Sequence, residues 1–504
     1  MNSESRSRIK RFVKWLRQPA TWVFIAIFLG GVFFRFYGTP DRFGFDKDPT
    51  RDALVSLYGA RHLAFPLVGP ASGIASFTFG PWYYYELIVF SLLVPISFAP
   101  FYFIPLFSLS LILLMYFIGR ELWDEYLGII LATFAAFSPS FVGPASGLSN
   151  PNLVAPHVAM SILIFILFLR KKRSIWLALI WGIVMGIGIN NHYEMIPILI
   201  LPGIYFFLNI KSSFRNILFF ILGLVITFLP LLYFNLNYHW YTVNGILHFI
   251  SSGGSNNYIP NSWHIYLLDF WPKFFGYIFA LPQEISFVIV GIIVLIYGYH
   301  LFCIKKHDKA ILILTISFSI IFIMLRYYNA ERSYYYFIFL EPLLFVVMGF
   351  PLRLLGQNRL GKIIIILITL GFIGLSFAQN IQRTKPNHDQ EVARANVQLL
   401  ERVFPSKRFS IYTCQQKAIE KAQGVVVILD SKSKLSNDGE KIGFNNSLDN
   451  CLLPEISVNE LSAAIYDFKS IPDQTLNKYG WYRISPETIF KNTVLWWTSE
   501  YEKI

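Results

Sequence analysis

The sequence predicts a polytopic α-helical membrane protein of about eleven spans, followed by a small α/β domain facing away from the cytoplasm. Three observations carry this. Of 504 residues, 55% are hydrophobic and only 14% are charged, well below the roughly 25% of ordinary soluble domains. Apolar runs of roughly 17–20 residues, long enough for a bilayer core of about 30 Å, recur along most of the chain. Half of the 30 acidic residues then fall in the last quarter, where the texture changes to short strands and helices.

The spans expected in order are 19–37, 100–118, 126–141, 153–169, 175–191, 194–209, 216–234, 285–304, 309–325, 334–352 and 362–378. No small-residue cleavage site follows the first, so it reads as a retained span and not a signal peptide. A further apolar run, 82–98, does not fit. Basic clusters stand at Arg6–Arg17, at Arg120, at "RKKR" 170–173, at Lys211 and Arg215, at "KKHDK" 305–309 and over Arg353–Lys362. Basic residues concentrate in cytoplasmic loops, and these clusters share one side only if 82–98 stops short of crossing. The stretch is aromatic at its start, contains Glu86 and is broken by Pro95 and Pro100. A re-entrant or interfacial segment is expected there, since non-spanning backbone is tolerated where protein or a watery cavity surrounds it.

This division makes 1–18 a basic cytoplasmic terminus and 19–378 a transmembrane body with a large outward loop, 38–99. Residues 379–504 form the outward α/β domain. The net charge of +13 lies among the spans, because the last 125 residues carry 16 Lys/Arg against 15 Asp/Glu. It therefore orients helices, and a nucleic-acid partner is not expected. In the tail, "HDQEVARANVQLLERVF" reads as a helix and "RFSIYTC" and "GVVVILD" as strands. "SKLSNDGEKIGF" reads as a hairpin turning at Asp438-Gly439. Cys414 and Cys451 are disulfide candidates, with two unpaired thiols as the competing reading.

Five polar constellations lie at outward ends. The first is "FDKDPTRDALVSLYGARH", 45–62, with Asp46, Asp48 and Asp52 beside Arg51. Its Leu54, Leu57, Tyr58 and Leu63 share one helical side, so a helix lying on the membrane interface is expected. A carboxylate here suits a general base toward a hydroxyl or a ligand to a divalent metal, with Asp46 and Asp48 the candidates. The plainer alternative is a solvated loop. The second is "FGPWYYYE", 79–86, whose Tyr84 belongs to an aromatic run suited to an interface belt or to sugar stacking. Third, Asn150 in "NPN" serves either as a hydroxyl ligand or as a helix cap. Fourth, "NNHYE", 190–194, places His192 and Glu194 at a span end, where polar groups are costly unless a cavity receives them. Fifth, Arg326 and Arg332 in "RYYNAERSYYYF" are suited to phosphate, with snorkelling from a span end the alternative.

Taken together, the order of these segments resembles the GT-C superfamily of membrane glycosyltransferases. It is most similar to the branch of the dolichyl-phosphate-mannose–protein mannosyltransferases and the bacterial aminoarabinose transferase. "DPTRD", Asp48 to Asp52, matches that family's acidic first-loop motif, and "GPWYYYE" matches its Pro-Leu-Tyr-Tyr-Tyr segment. "NPN" at 150–152 and "NHYE" at 191–194 fall where members place substrate and carrier contacts. The resemblance covers about residues 19–350. Two departures stand out: Pro49 follows the first acid where Glu is common, and Gly80-Pro81 replaces His-Pro-Pro.

The resemblance implies an integral inner-membrane enzyme with its amino terminus inside. It would move a sugar from a polyprenyl-phosphate donor to an outward hydroxyl of a protein, lipid or glycan, with inversion. Asp48, at the motif position, is implied as base, with Asp46 as the other candidate. Arg51, Asp52, Tyr84, Asn150, His192, Glu194, Arg326 and Arg332 are implied as substrate contacts. No cofactor beyond a divalent metal is implied. A lipid-linked-sugar flippase is the rival reading. It would need polar residues reaching the cytoplasmic side, whereas the inner halves of these spans are almost wholly apolar.

Overall fold

The computed structural model describes residues 18–73, 75–170, 174–252, 263–303, 308–328, 333–405, 407–445, 452–453, 458–462, 465–469 and 471–494. It is a helical bundle with a small sheet domain. Helix α1 spans Pro19–Phe36, and the long segment after it folds into α2 (Lys47–His62) and α3 (Trp82–Leu93). The bundle continues with α4 (Ala99–Leu122), α5 (Glu125–Phe137), α6 (Val154–Arg170), α7 (Ile175–Asn191), α8 (Ile200–Leu208) and α9 (Ile210–Asn237). After α10 (Tyr241–Ser251) and α11 (Trp271–Phe279) come α12 (Gln283–Cys303), α13 (Lys309–Leu325), α14 (Glu341–Leu355) and α15 (Arg359–Gln382).

Helix starts are set by capping side chains: Asp124 accepts from Leu127 N at 3.0 Å, and Asn358 accepts from Gly361 N at 2.7 Å. Among the described residues, six helices are long and apolar enough to cross a membrane, or eight if each of two bent pairs is one span. Ile175–Asn191, Tyr193–Leu208 and Lys309–Leu325 are shorter apolar helices, so three of the eleven expected passes fall below that length. Helix α3 has 12 residues, a rise of about 18 Å, too little to cross.

Polar contacts sort the bundle into two ends. At one, Arg353 meets Asp124, Arg170 meets Glu121, and Lys309 reaches Asn209. At the other, Asn380 donates to Phe137 O, Arg383 to Pro139 O, and Asn150 to Asn191 O. Arg170, Lys309 and Arg353, members of three basic clusters, thus make their contacts at the first end.

Helices α7 and α9 approach backbone to backbone. A Cβ added at Gly182 would stand 2.0 Å from Phe220 O, which is how small residues let membrane helices pack. Near the loop-rich end, the buried Arg35 donates to Ser108 Oγ (2.9 Å) and to the carbonyls of Gly31, Ala135 and Ala136 (3.3, 2.9 and 3.0 Å). It satisfies the carbonyl end of α5, where a cation is favoured. Arg35→Leu strands these acceptors. A loss of about 3 kcal/mol is expected, read as a lowered melting temperature of the detergent-purified protein.

The tail contains α16 (His388–Val403), β1 (Phe409–Cys414), α17 (Gln415–Ser431), β2 (Glu440–Phe444), β3 (Asn459–Ser462), β4 (Ile465–Asp467), β5 (Trp481–Ile484) and α18 (Pro486–Val494). Its sheet has the order β3-β4-β2-β1-β5, with β1 and β2 parallel. Two expectations are corrected here. "GVVVILD" is helical within α17: Val425, Val426, Val427 and Leu429 are all fully buried, and packing on every side overrides β-branched propensity. The "SKLSNDGEKIGF" segment is not a hairpin. Leu435 bridges Phe409 in parallel and β2 also runs parallel to β1, so both arms lie against β1 and not against each other. Cys414 is disulfide-bonded; Cys451 lies outside the described residues.

A further finding concerns α2, whose apolar side packs against protein. It is covered by α3 on one side and by α17 and α18 on others. Leu54 and Leu57 are buried, Tyr58 stacks on Phe490 at 4.8 Å, and Leu63 alone of that set is exposed. Arg61 grips Asp430 through two bonds of 2.7 and 2.5 Å, and Thr50 donates to Gln423 at 3.1 Å. One apolar core holds Phe43, Phe45 and Leu54 together with Phe101 of α4 and Ile411 and Val425 of the tail.

Candidate active site

The acids stand at the amino end of α2. Asp46 is its N-cap residue and Asp48 lies in the first turn. Both are exposed. Arg51, one turn on, donates to Asp48 Oδ1 at 2.6 Å and to Asp52 Oδ1 at 2.8 Å. Asp52 is buried and also accepts the Tyr84 hydroxyl at 2.8 Å. Burial raises the Asp52 carboxyl above its ordinary range, and Arg51 and Tyr84 pull it back only in part. Burial, reinforced by Asp52, holds the Tyr84 phenol well above its ordinary range, so Tyr84 stays a donor. Asp52 and Tyr84, expected as substrate contacts, are enclosed and hold Arg51; Asp48 takes the open position.

Helix α3 links this acid end to the second polar group. Tyr84 and Glu86, two residues apart on a helix, point to opposite sides. Glu86 accepts from Asn191 Nδ2 at 2.8 Å and stands 3.2 Å from His157 Nε2. The other ring nitrogen of His157 faces Leu153 O at 2.8 Å, and Asn150 Nδ2 reaches Asn191 O at 2.7 Å. The segment before α3 must pass close by. A Cβ at Gly80 would lie 1.8 Å from Asn190 Oδ1, and Gly80 N bonds Asn190 O at 3.0 Å. That contact explains glycine in "GPWYYYE".

His192 is stacked between Phe79 (4.6 Å) and Tyr336 (5.7 Å), with Nδ1 3.7 Å from Glu194 Oε2. Glu194 accepts the Tyr328 hydroxyl at 2.7 Å. Tyr335 donates to Ser149 Oγ at 2.5 Å and lies within electrostatic reach of both Asp46 and Asp48. The tyrosines before α14 thus join the acid loop to the His192 group. Arg326 is buried, with its guanidinium over the rings of Trp263 (5.6 Å) and Tyr327 (5.8 Å). Arg332 lies outside the described residues.

Sequence reasoning singled out neither His157, Ser149, Tyr328, Tyr335 nor Tyr336 as site residues, and it used Glu86 only to argue against a span. The one available signal was the repeated pattern of "WYYYE" and "SYYYF" at two loop ends.

Among the described residues no group of three or more His, Cys, Asp or Glu gathers. A hard divalent cation takes about six oxygens. Asp46 and Asp48 offer two carboxylates, one already bound to Arg51, and this set does not make a metal cage.

Residues 82–234 match the family model of dolichyl-phosphate-mannose-protein mannosyltransferase. Among solved structures, ArnT from Cupriavidus metallidurans bound to undecaprenyl phosphate aligns with a TM-score of 0.57 at 11% identity. The alignment covers 89% of this chain and 98% of that one. The same protein in the apo state aligns at 0.56 and 10%, covering 88% and 96%. The Archaeoglobus fulgidus oligosaccharyltransferase in the apo form aligns at 0.50 and 14%, covering 78% of this chain. The chain spans 59% of the length of that oligosaccharyltransferase. No curated protein matches the sequence significantly.

The chain thus shares the multi-pass helical fold of ArnT, and residues 82–234 carry the matched family segment.

Proposed function

We propose that this protein transfers a sugar from a polyprenyl-phosphate carrier to an acceptor hydroxyl at the loop-rich end of the bundle, outside the cytoplasm. Residues 19–378 form the catalytic body and 379–504 the domain that closes it. The observation that carries the reading is the acid pair at the start of α2 within reach of Tyr335, whose neighbour Tyr336 stacks on His192 of the His192–Glu194 group. The family match and the undecaprenyl phosphate bound by ArnT support a lipid-phosphate donor. Basic residues at the opposite end support the sidedness.

In this reaction the acceptor oxygen attacks the anomeric carbon as the bond from that carbon to the phosphate oxygen breaks. The phosphate leaves with the bonding pair, the hydroxyl proton passes to Asp48, and the configuration inverts. Arg51 fixes the Asp48 rotamer. Arg326, Arg332 and His192 are assigned to the departing phosphate, where preorganised donors act on developing charge.

The test is incubation of purified protein with a panel of polyprenyl-phosphate sugars, with and without chelator. Release of polyprenyl phosphate that persists in chelator is expected. No release from any donor, with folded protein, would remove the assignment.

A further inference from the structure

The reaction so far leaves one cavity beside the acid loop unused. About 280 Å³ in volume, it lies where Asp46 meets the tail, lined by Phe45, His388, Asp389, Asn396 and Gly424 among others. Its outer wall is α16. Asn387 caps that helix by accepting from Gln390 N at 3.0 Å, and its own N–H bonds Asp41 O at 2.7 Å. Arg394 pairs with Asp41 at 2.7 Å. The helix is thus pinned to the segment just before the acids. His388, Asp389 and Asn396 recur at helical spacing, which puts them on one face. A Cβ at Gly424 would come within 3.2 Å of Ala393 Cβ and 3.4 Å of the Phe45 ring, so the floor is closely packed and apolar.

We infer that this cavity is the acceptor subsite and that its ligand is a neutral, polyhydroxylated sugar ring. The inference rests on the transferase reading. Two carboxylates, Asp46 and Asp389, line the cavity, with no lysine or arginine among its described lining residues, so phosphate-bearing or acidic acceptors are disfavoured. Carboxylate, amide and imidazole groups on one face can both accept from and donate to neighbouring hydroxyls. Phe45, Val392 and Ala393 offer an apolar surface to the C–H face of a ring. Asp46, which lines the cavity, lies two residues before the proposed base, so the cavity adjoins the acid end of α2.

The test separates binding from turnover. Saturation-transfer NMR on the full detergent-purified chain would probe neutral mono- and oligosaccharides, a hexose phosphate and a Ser/Thr peptide. Neutral glycans are expected to bind. Asn396→Leu and the exposed Asp389→Ala should each weaken that binding roughly tenfold. Binding of the phosphate or the peptide while neutral glycans stay inert overturns the inference. So does full neutral-glycan binding in both variants. Glycan binding lost in the variants, in a protein that cleaves no polyprenyl-phosphate sugar, supports the subsite and removes the transferase reading instead.

Discussion

Asp48→Asn is expected to yield a folded protein whose transfer rate has fallen by about 10²–10⁴-fold, the usual contribution of a positioned general base. The amide keeps the shape of the carboxylate and can still accept from Arg51, but it cannot take a proton from the attacking hydroxyl. The side chain is 64% exposed and among the described residues it pairs with Arg51, so stability should change by less than about 1 kcal/mol. The measurement is release of polyprenyl phosphate per folded molecule, with the melting temperature recorded alongside. Near-normal turnover would take the role from Asp48. If Asp46→Asn alone then abolishes transfer, the base is Asp46.

The second large effect concerns Asp52. Asp52→Leu leaves Arg51 and the Tyr84 hydroxyl facing an apolar group in an enclosed place. Breaking one side of a buried ion pair costs about 3–5 kcal/mol, and the lower end is expected because Asp48 still holds Arg51. Transfer falls as well, since the guanidinium that orients Asp48 is no longer anchored to α3 through Asp52. The double variant Arg51→Met/Asp52→Leu distinguishes the two losses. Replacing both charged partners by apolar groups of similar volume is often neutral for stability, so the double variant should recover its melting temperature but not its turnover. Recovery of both would mean that Arg51 contributes nothing to the reaction.

Much of this site was readable because its signals are local. Hydropathy marks the bundle, the basic clusters order its ends, and Glu86 with Pro95 marks a segment that does not cross. The acids and Arg51 fall within a single helical turn or two. What was not readable depends on partners far away in the chain. Nothing in 45–62 says that Arg61 meets Asp430, or that the apolar side of α2 faces a tail helix and not lipid. The same holds for Glu86, whose neighbours His157 and Asn191 come from two other helices. "GVVVILD" misled because β-branched residues favour strands only where a pleated surface is offered to them.

The shared core between α2 and the tail also bears on timing. The side chains that complete it, Ile411, Val425 and their neighbours, are synthesised after every membrane helix. A chain with all its helices inserted but its end still on the ribosome has its acid-bearing helix uncovered and Arg61 without Asp430. Maturation therefore finishes from the carboxyl end, when the last tail strands and helices close over the acid-bearing helix.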